Sequence, residues 1–370
     1  MLEHVLIIGG QGHIGRSVAA DLAEHTQAQI TITGRTARKV VPSNDRMRTI
    51  HTLTLDLADH HRLREAIAAH DLVVHCAGPF RQRDANVLAT CIQEGVHYVD
   101  VSDDRHFTQL AFSQREAAKA AGVTAIVNTG VFPGISNSLV RQGIEQFDRA
   151  DEVHLSYVVA SSGGAGITVM RTTFLNIQNP FEAWIDGQWQ PVQPYTDREV
   201  IAFPGPFGRT NVYWFDMPES YTLVESYPLK TVSTKFGSKP DIYNRLTQMM
   251  LHRVPRPIMR NPGFVEMMAH ISYWMTEVSD RFSGTGVAVR AQVIGEKEGS
   301  RVGYCANFVH PNAAVATGYG TGSIAQFILS GQINQPGVWA VEQVLTTELF
   351  EHSMNQRNST IQRSWVELST

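Results

Sequence analysis

Residues 5–15 read VLIIGGQGHIG, an apolar run that ends in a glycine-rich turn, and a helical pattern follows over residues 13–24. The order of strand, G-x-G-x-x-G turn and helix is typical of a dinucleotide-binding βαβ unit. Gly10 is expected to permit the tight turn, Gly12 to leave room for the pyrophosphate, and Gly15 to let the helix pack closely. The helix N-terminus offers free N–H groups to the phosphates. The pattern therefore predicts a dinucleotide site here.

The end of the second strand indicates which dinucleotide is preferred. Residues 29–33 form this strand, and Gly34-Arg35-Thr36-Ala37-Arg38-Lys39 follows it. Sites for NAD usually place an acid here for the ribose 2′-hydroxyl, whereas Arg suits the 2′-phosphate of NADP. This sequence has three cations and no acid, with hydroxyls from Thr33 and Thr36, and Arg35 can meet a phosphate with two hydrogen bonds. The pattern predicts NADP(H), and the alternative is a basic surface turn without a ligand.

Composition sets limits on the class of protein. Its 370 residues favour two domains, and 43% hydrophobic residues suffice for large cores. With 18% charged residues and a net charge of −4, the chain has no nucleic-acid or polybasic membrane signature. No apolar run reaches the roughly 18 residues of a membrane-spanning helix. The three cysteines lack metal-binding spacing, so we expect a cytoplasmic protein without a metal site.

The first 130 residues alternate strand and helix patterns. Further strands are predicted at 49–55, 71–76, 96–101 and 123–128, and helices at 60–70, at 85–94 and from a capping box at 113–116. This repetition predicts an α/β fold with an N-terminal Rossmann domain, which is a doubly wound parallel sheet.

The pattern changes after residue 134. Helices are predicted at 135–147, 322–329 and 341–353, a strand at 153–159, turn-rich aromatic sequence at 181–215, a Met-rich helical region at 243–278 and a hairpin over 287–309. We therefore predict an NADP-binding domain at 1–130, an α+β substrate and dimerisation domain at 131–312, and C-terminal helices at 313–370 that pack back on the Rossmann domain. A homodimer is expected, because two-fold dimers are the commonest assembly.

Four stretches resemble the saccharopine dehydrogenase-like NADP-binding oxidoreductases. They are the glycine turn with residues 33–35 (TGR), residues 75–80 (HCAGPF), residues 95–104 (GVHYVDVSDD) and residues 131–137 (VFPGISN). The resemblance implies hydride transfer between NADP(H) and a small-molecule substrate, with residues 76–80 beside the nicotinamide ribose. His75 and Phe132 depart from the common family pattern, so the resemblance does not imply a lysine-pathway substrate.

The predicted binding residues fall into two groups. For the cofactor they are Gly10, Gln11, Gly12, His13, Ile14, Gly15, Gly34, Arg35, Thr36, Arg38, Asp56, Leu57, Cys76, Ala77, Gly78 and Pro79. For the substrate they are Phe80, Ser102, Phe132, Pro133 and Gly134.

The cofactor carries the hydride, so the protein must supply binding, orientation and a proton. Asp103 is the first candidate for proton transfer and His75 the second, because both lie at strand ends on the carboxyl edge of the sheet, where ligands bind. The alternatives are a helix N-cap for Asp103 or Asp104 and a hydrogen-bonded structural role for His75. Tyr98 and Cys76 are expected to be packed core residues.

Three functions fit the sequence. The first is hydride transfer to or from a C=N bond of an amine or amino-acid derivative. The second is reduction of a C=C or C=O bond on a larger apolar substrate, and the third is a non-catalytic NADP(H)-binding sensor or scaffold. A buried cation that holds a substrate carboxylate would favour the first. The candidates are Arg171, Arg209, Lys235 and Lys239, and for each of them alone a charged surface loop is the preferred interpretation.

Overall fold

The computed structural model describes residues 2–36, 50–164 and 166–367. The chain divides into two compact units. The first unit contains Met1–Ile135 and Ala314–Leu349, and the second unit contains Ser136–Ala313 and Phe350–Thr370. The functions expected for the domains at 1–130 and 131–312 stay predictions.

The elements follow one another in this order. The first half contains β1 (His4–Ile8), α1 (His13–His25), β2 (Gln29–Gly34), β3 (His51–Thr54), α2 (His60–Ala68), β4 (Leu72–His75), α3 (Asn86–Glu94), β5 (His97–Asp100), α4 (Arg105–Phe112), α5 (Arg115–Ala120), β6 (Thr124–Val127), α6 (Ile135–Ile144), β7 (Arg149–Ala160) and α7 (Ile167–Asn176). The second half contains β8 (Phe181–Ile185), β9 (Gln188–Val192), β10 (Glu199–Phe203), β11 (Gly208–Trp214), α8 (Glu219–Ser226), β12 (Thr231–Lys239), α9 (Ile242–Arg253), α10 (Arg256–Met259), α11 (Pro262–Ser283), β13 (Gly286–Lys297), β14 (Ser300–His310), α12 (Ala313–Leu329), β15 (Gly337–Ala340), α13 (Val341–Val344), α14 (Thr347–Gln356) and β16 (Ile361–Val366).

The first unit is built on a seven-stranded sheet in the order β15-β6-β5-β4-β1-β2-β3. Its paired strands are all parallel. Residues 5–8 of β1 and 72–75 of β4 are buried throughout, as expected for a parallel sheet that is covered on both faces. The strand order reverses at β1, whose neighbours are β2 and β4. The carboxyl ends of β1 and β4 therefore form a topological switch point, where open α/β sheets bind ligands. The predicted doubly wound fold is confirmed.

The chain returns to the first unit through α12, also as predicted. A Cβ on Gly318 would lie 2.8 Å from the carbonyl oxygen of Ser17 in α1, and one on Gly322 would overlap the Asp21 carboxyl. Glycine therefore lets α12 approach α1 at backbone distance. The sequence did not reveal β15, which pairs with β6, nor β16, which pairs with β14 in the second unit. Both strands lie among the predicted C-terminal helices, which the structure has as α12, α13 and α14.

The second unit is built on a mixed sheet in the order β10-β11-β12-β7-β13-β14-β16, to which β8 adds beside β12 and β9 beside β8. The predicted hairpin is confirmed as β13 and β14, which are joined at Glu298 and Gly299. Both turn residues have positive φ, 51° and 75°, as short hairpin turns require. The aromatic stretch at 181–215 forms β8 to β11, and the Met-rich region forms α9 to α11.

The predicted capping box at Ser113 was wrong. The Ser113 hydroxyl donates to the Leu110 carbonyl at 2.7 Å, and this residue ends α4 before α5 begins at Arg115. The sequence pattern at residues 113–116 is typical of the start of one helix. In the structure these residues join two short helices, α4 and α5. None of the helices within the described ranges combines the length and apolar character that crossing a bilayer requires.

Candidate functional site

The glycine turn after β1 is fixed to the end of β2. The Gly9 N–H donates to the Thr33 hydroxyl at 3.2 Å, and the Gln11 N–H donates to the Thr33 carbonyl at 3.2 Å. The positive φ of 77° lies at Gly9, so the tight turn depends on Gly9 and the role expected for Gly10 was wrong. A Cβ on Gly10 would lie 2.5 Å from Cβ of Ile32, which means that β2 occupies this space.

Gly12 and Gly15 differ in what surrounds them. Gly12 is exposed at the N-cap of α1 with ordinary extended dihedrals, φ −77° and ψ 172°. A Cβ there would meet only the Gly9 carbonyl oxygen, at 3.3 Å. A Cβ on Gly15 would lie 2.5 Å from that same oxygen and 2.6 Å from Cα of Gly10. Gly15 is therefore required for packing, whereas Gly12 leaves open space in front of the helix N-terminus.

The groups around Gly12 fit the phosphates of a dinucleotide. In the described part of the chain no side chain caps α1 at Gly12, so its first N–H groups point outward. Gln11 Nε2 is buried without a hydrogen-bond partner among the described residues, and a Cβ on Gly34 would lie 2.5 Å from the Gln11 carboxamide. An unsatisfied buried donor costs stability, and a phosphate or ribose oxygen would satisfy it.

The end of β2 presents Arg35 and Thr36, which are both exposed. Thr33 is 2% exposed and its hydroxyl accepts the Gly9 N–H, so of the two hydroxyls noted in the sequence only that of Thr36 is accessible. Arg38 and Lys39 lie outside the described residues. Asp56 and Leu57 follow β3 beside Gly34, because the Leu55 N–H donates to the Gly34 carbonyl at 3.0 Å.

The segment after β4 touches the glycine turn on its other side. The Cys76 N–H donates to the Ile8 carbonyl at 2.8 Å, and a Cβ on Gly9 would lie 2.9 Å from the Ala77 nitrogen. The Arg83 Nε donates to the Ala77 carbonyl at 3.0 Å, which fixes this segment. Burial, and secondly the charge of Asp100, raises the pKa of the Cys76 thiol far above its ordinary value. A permanently protonated thiol agrees with the packed role expected for Cys76.

His75 and Phe80 both point into the core of the first unit. The His75 ring is fully buried, with Nδ1 3.1 Å from the Tyr98 hydroxyl and the Phe80 and Phe107 rings at 5.0 and 6.3 Å. Burial, and secondly the Arg83 charge, lowers the pKa of His75 to about 3, so the ring is neutral and cannot reach a ligand. The structure contradicts His75 as proton donor. It also contradicts a substrate contact for Phe80, which is 3% exposed.

A network centred on Asp100 fixes the loop that follows β5. The Asp100 Oδ1 accepts the N–H groups of Ser102 at 3.0 Å and Asn128 at 2.9 Å. The Asn128 Nδ2 donates back to the Ser102 carbonyl at 2.9 Å. Asp104 caps α4 by accepting the Phe107 N–H at 2.8 Å. Ser102 is completely buried within this network, so the predicted substrate contact was wrong for Ser102.

Asp103 is a partly exposed residue of this loop. Burial, and secondly the charge of Asp104, raises the pKa of the Asp103 carboxyl to about 7. The residue that caps the N-terminus of α4 is Asp104 and not Asp103. A carboxyl that is partly protonated at neutral pH, at the carboxyl edge of the sheet, has the properties of a general acid.

The sequence did not reveal Asp100. Burial raises the pKa of its carboxyl to about 6, but its side chain is inaccessible and its role is to hold the loop. The sequence feature that could have indicated Asp100 is an acidic residue at the end of a buried strand. After β6, Phe132 is partly exposed, whereas Pro133 and Gly134 are buried, so the predicted substrate contact was wrong for Pro133 and Gly134 and stays a prediction for Phe132. The Ile135 N–H donates to the Gly130 carbonyl at 3.0 Å across this turn.

Three of the predicted carboxylate-binding cations have other partners in the second unit. Arg171 donates to Glu266 through both Nε and Nη2, at 2.6 and 2.5 Å. Lys235 is 3% exposed and its Nζ lies between the carboxylates of Asp197 and Glu199. The Lys239 Nζ donates to the carbonyls of Pro206 and Phe207 at 3.0 and 2.7 Å, and Arg209 is exposed.

Arg290 of the second unit is a further candidate for binding a substrate carboxylate. The sequence interpretation did not include it. Its guanidinium donates to the Ala202 carbonyl at 3.0 Å and to the Cys305 sulfur at 3.1 Å. Its Nε is buried and has no hydrogen-bond partner in the described ranges. The signal was a lone cation inside the apolar strand VAVRAQV, residues 287–293.

Residues 5–126 match the family model of the saccharopine dehydrogenase NADP binding domain. This match spans the glycine turn, the segment after β4 and the Asp103 loop. Residues 5–126 are therefore a saccharopine dehydrogenase-type NADP-binding domain. The predicted resemblance is thereby confirmed, and the first unit is the pyridine-nucleotide-binding domain of the chain.

Several known proteins are similar to this chain over most of its length. Carboxynorspermidine synthase of Vibrio cholerae is 24% identical, over 90% of this chain and 91% of the relative. The saccharopine dehydrogenase (L-Glu forming) of Saccharomyces cerevisiae superposes with a TM-score of 0.71 at 13% identity, over 99% of this chain and 100% of that one. The homospermidine synthase of Legionella pneumophila, solved with NAD, gives a TM-score of 0.64 at 11% identity, over 99% and 92%. The two structural likenesses establish the fold.

Proposed function

We propose that the chain transfers a hydride between NADP(H) and the C=N bond of an amine or amino-acid derivative. The observation that carries the proposal is Asp103, a partly exposed residue at the carboxyl edge of the cofactor-binding sheet, where burial raises the pKa of its carboxyl to about 7. The names of the relatives, which refer to spermidine-type amines and to saccharopine, support this substrate class.

Different residues of the first unit have different roles in the proposed reaction. The bound nicotinamide supplies or accepts the hydride, and the protein supplies position and the proton. The α1 N-terminus and Gln11 would hold the diphosphate, and the segment Cys76 to Pro79 would support the nicotinamide half. Asp103 donates a proton to the substrate nitrogen as the hydride reaches carbon, and it accepts that proton in the reverse direction. Asp100 keeps the Asp103 loop in place.

NADP(H) is the proposed cofactor because the end of β2 carries Arg35 and no acid. We expect NADP(H) to bind more tightly than NAD(H), and Arg35→Asp to abolish or reverse that preference. One charge-assisted phosphate contact contributes about 1.5–3 kcal/mol, roughly 10- to 150-fold in Kd. Fluorescence titration of both reduced cofactors measures the ratio. Equal affinities of the wild-type protein for NADPH and NADH would show that Arg35 does not bind the 2′-phosphate.

A two-substrate assay tests the C=N proposal. NADPH absorbance is followed with an aldehyde or 2-oxo acid alone, with a primary diamine or amino acid alone, and with each pair together. Reduction of a C=N bond requires both partners, since the imine forms from them, so the rate should appear only with a pair. Oxidation of NADPH by a carbonyl compound or an enone alone would instead support the C=O or C=C alternative.

Two further proposals accompany this function. The chain acts in the cytoplasm, and it forms a homodimer through the second unit. The first rests on the scattered cysteines, and the second on the aromatic- and Met-rich sequence of the second unit.

A further inference from the structure

The outer face of α11 is apolar and exposed. Met267, Ile271, Trp274, Val278 and Phe282 are 49, 43, 65, 44 and 85% exposed. We call these five residues the α11 stripe. Single exposed apolar side chains are normal on a protein surface, but a contiguous group on one helix indicates an interaction site.

The opposite side of α11 is already packed within the second unit. Val265, Ala269 and Thr276 are buried, and the Tyr243 hydroxyl of α9 donates to the Met275 carbonyl at 3.0 Å. The helix is therefore held by its inner face. The stripe needs no further contact within its own unit, and it is available to another molecule.

The exposed area is large enough for a specific interface. Trp274 and Phe282 together expose on the order of 300 Å², which already matches the largest apolar patch of a typical monomer. The aliphatic members of the stripe add to this. Contributed twice by two copies, this surface approaches the roughly 1,200 Å² at which specific interfaces begin.

The spacing of the stripe suits an identical helix. Residues 267, 271, 274 and 278 are separated by four, three and four positions, which is the a/d spacing of a coiled-coil seam. α11 has 22 residues, so it is about 33 Å long. Two antiparallel copies with a two-fold axis near Trp274 would place Met267 against the partner's Phe282 and Ile271 against the partner's Val278. A methionine sulfur against an aromatic ring is a favourable contact.

The polar residues beside the stripe favour the antiparallel arrangement. His270 and Glu277 are exposed and lie seven positions apart, so they share one flank of the seam. Antiparallel pairing brings His270 towards the partner's Glu277, whereas parallel pairing would bring the two glutamates together. Opposite or hydrogen-bonding groups across a seam stabilise an orientation, and like charges oppose it.

We propose that the α11 stripe is the surface on which a second copy of this chain docks, with the two α11 helices antiparallel across a two-fold axis. This inference rests on the proposed homodimer and not on the proposed chemistry.

Val278→Glu and Val200→Glu form a matched pair that tests the surface. The two valines are 44 and 45% exposed in the same unit, but Val200 lies on β10 and not on α11. We expect the wild type to be dimeric at micromolar concentration by light scattering, and Val200→Glu to remain so. Val278→Glu and Trp274→Glu should weaken the dimer about 30-fold or more, since a buried interface aromatic or apolar anchor contributes at this scale.

Circular dichroism and NADPH binding are measured on every variant. A folded, NADPH-binding monomer of Val278→Glu or Trp274→Glu supports the proposal. Dimers that persist in both variants would overturn the α11 stripe and leave the homodimer standing. A monomeric wild type would overturn both, and sedimentation of that monomer with phosphatidylglycerol vesicles would assign the surface to a membrane. Loss of NADPH oxidation without loss of the dimer would concern only the proposed chemistry.

Discussion

Replacing Gly12 with Val should abolish NADP(H) binding while the first unit stays folded. Gly12 has dihedrals that any residue adopts, φ −77° and ψ 172°, and a Cβ there has one neighbour, the Gly9 carbonyl oxygen at 3.3 Å. The added methyl groups would therefore project into the space before the α1 N-terminus, where the phosphates are expected. Fluorescence titration with NADPH should show at least a 100-fold weaker Kd, about 2.7 kcal/mol, with a nearly unchanged melting temperature.

Gly15→Val is the matched control in the same turn. Its Cβ would lie 2.5 Å from the Gly9 carbonyl oxygen and 2.6 Å from Cα of Gly10, so this change should destabilise the fold itself by several kcal/mol, about 3 or more. If Gly12→Val unfolds as readily as Gly15→Val, Gly12 serves packing and the assignment of the phosphate site loses its main support.

Asp103→Asn should lower the rate of the reaction about 10²- to 10⁴-fold, the usual contribution of a general acid. The NADPH Kd should stay unchanged, because the carboxyl does not hold the cofactor. In the wild type, kcat/KM for reduction should fall as pH rises through about 7, since burial raises the pKa of Asp103 to that value and only the protonated form donates. The variant should lose this dependence on pH.

Asp104→Asn provides the control for that assignment. Asn caps helices about as well as Asp, so α4 should be retained. The charge of Asp104 is the second cause of the raised pKa of Asp103, so its removal should move the pH midpoint of kcat/KM to a lower value. A rate that is insensitive to Asp103→Asn, or a midpoint that Asp104→Asn leaves in place, would remove Asp103 from the mechanism.

Much of the first unit was predictable because its signals are local. The glycine turn, the buried strands β4 to β6 and the αL glycine that ends α3 at Gly95 can each be recognised from a few neighbouring residues. The strands β15 and β16 were missed for the opposite reason. Their four and six residues carry no distinct alternation, and only pairing with the distant β6 and β14 makes them strands.

The site shows where sequence reasoning fails. Strand ends were assigned correctly, so Asp103 and Cys76 lie at the expected edge of the sheet. The direction of each side chain was not predictable, and His75, Phe80 and Ser102 therefore appeared accessible although all three point inward. Asp100 was missed because its role depends on a distant residue. It accepts the N–H of Asn128, 28 positions away, and no local sequence pattern indicates this contact.

The structure of the chain with NADP⁺ bound is the measurement that tests this account most directly. The diphosphate should lie against Gly12 and the α1 N-terminus, and the 2′-phosphate should meet Arg35. The nicotinamide ring should lie within about 4–4.5 Å of the segment from Gly78 to Phe80, on the side of β1 that faces β4. A cofactor whose nicotinamide extends instead beyond β2, or whose ring lies far from that segment, would contradict the assignment of the site and of Asp103 within it.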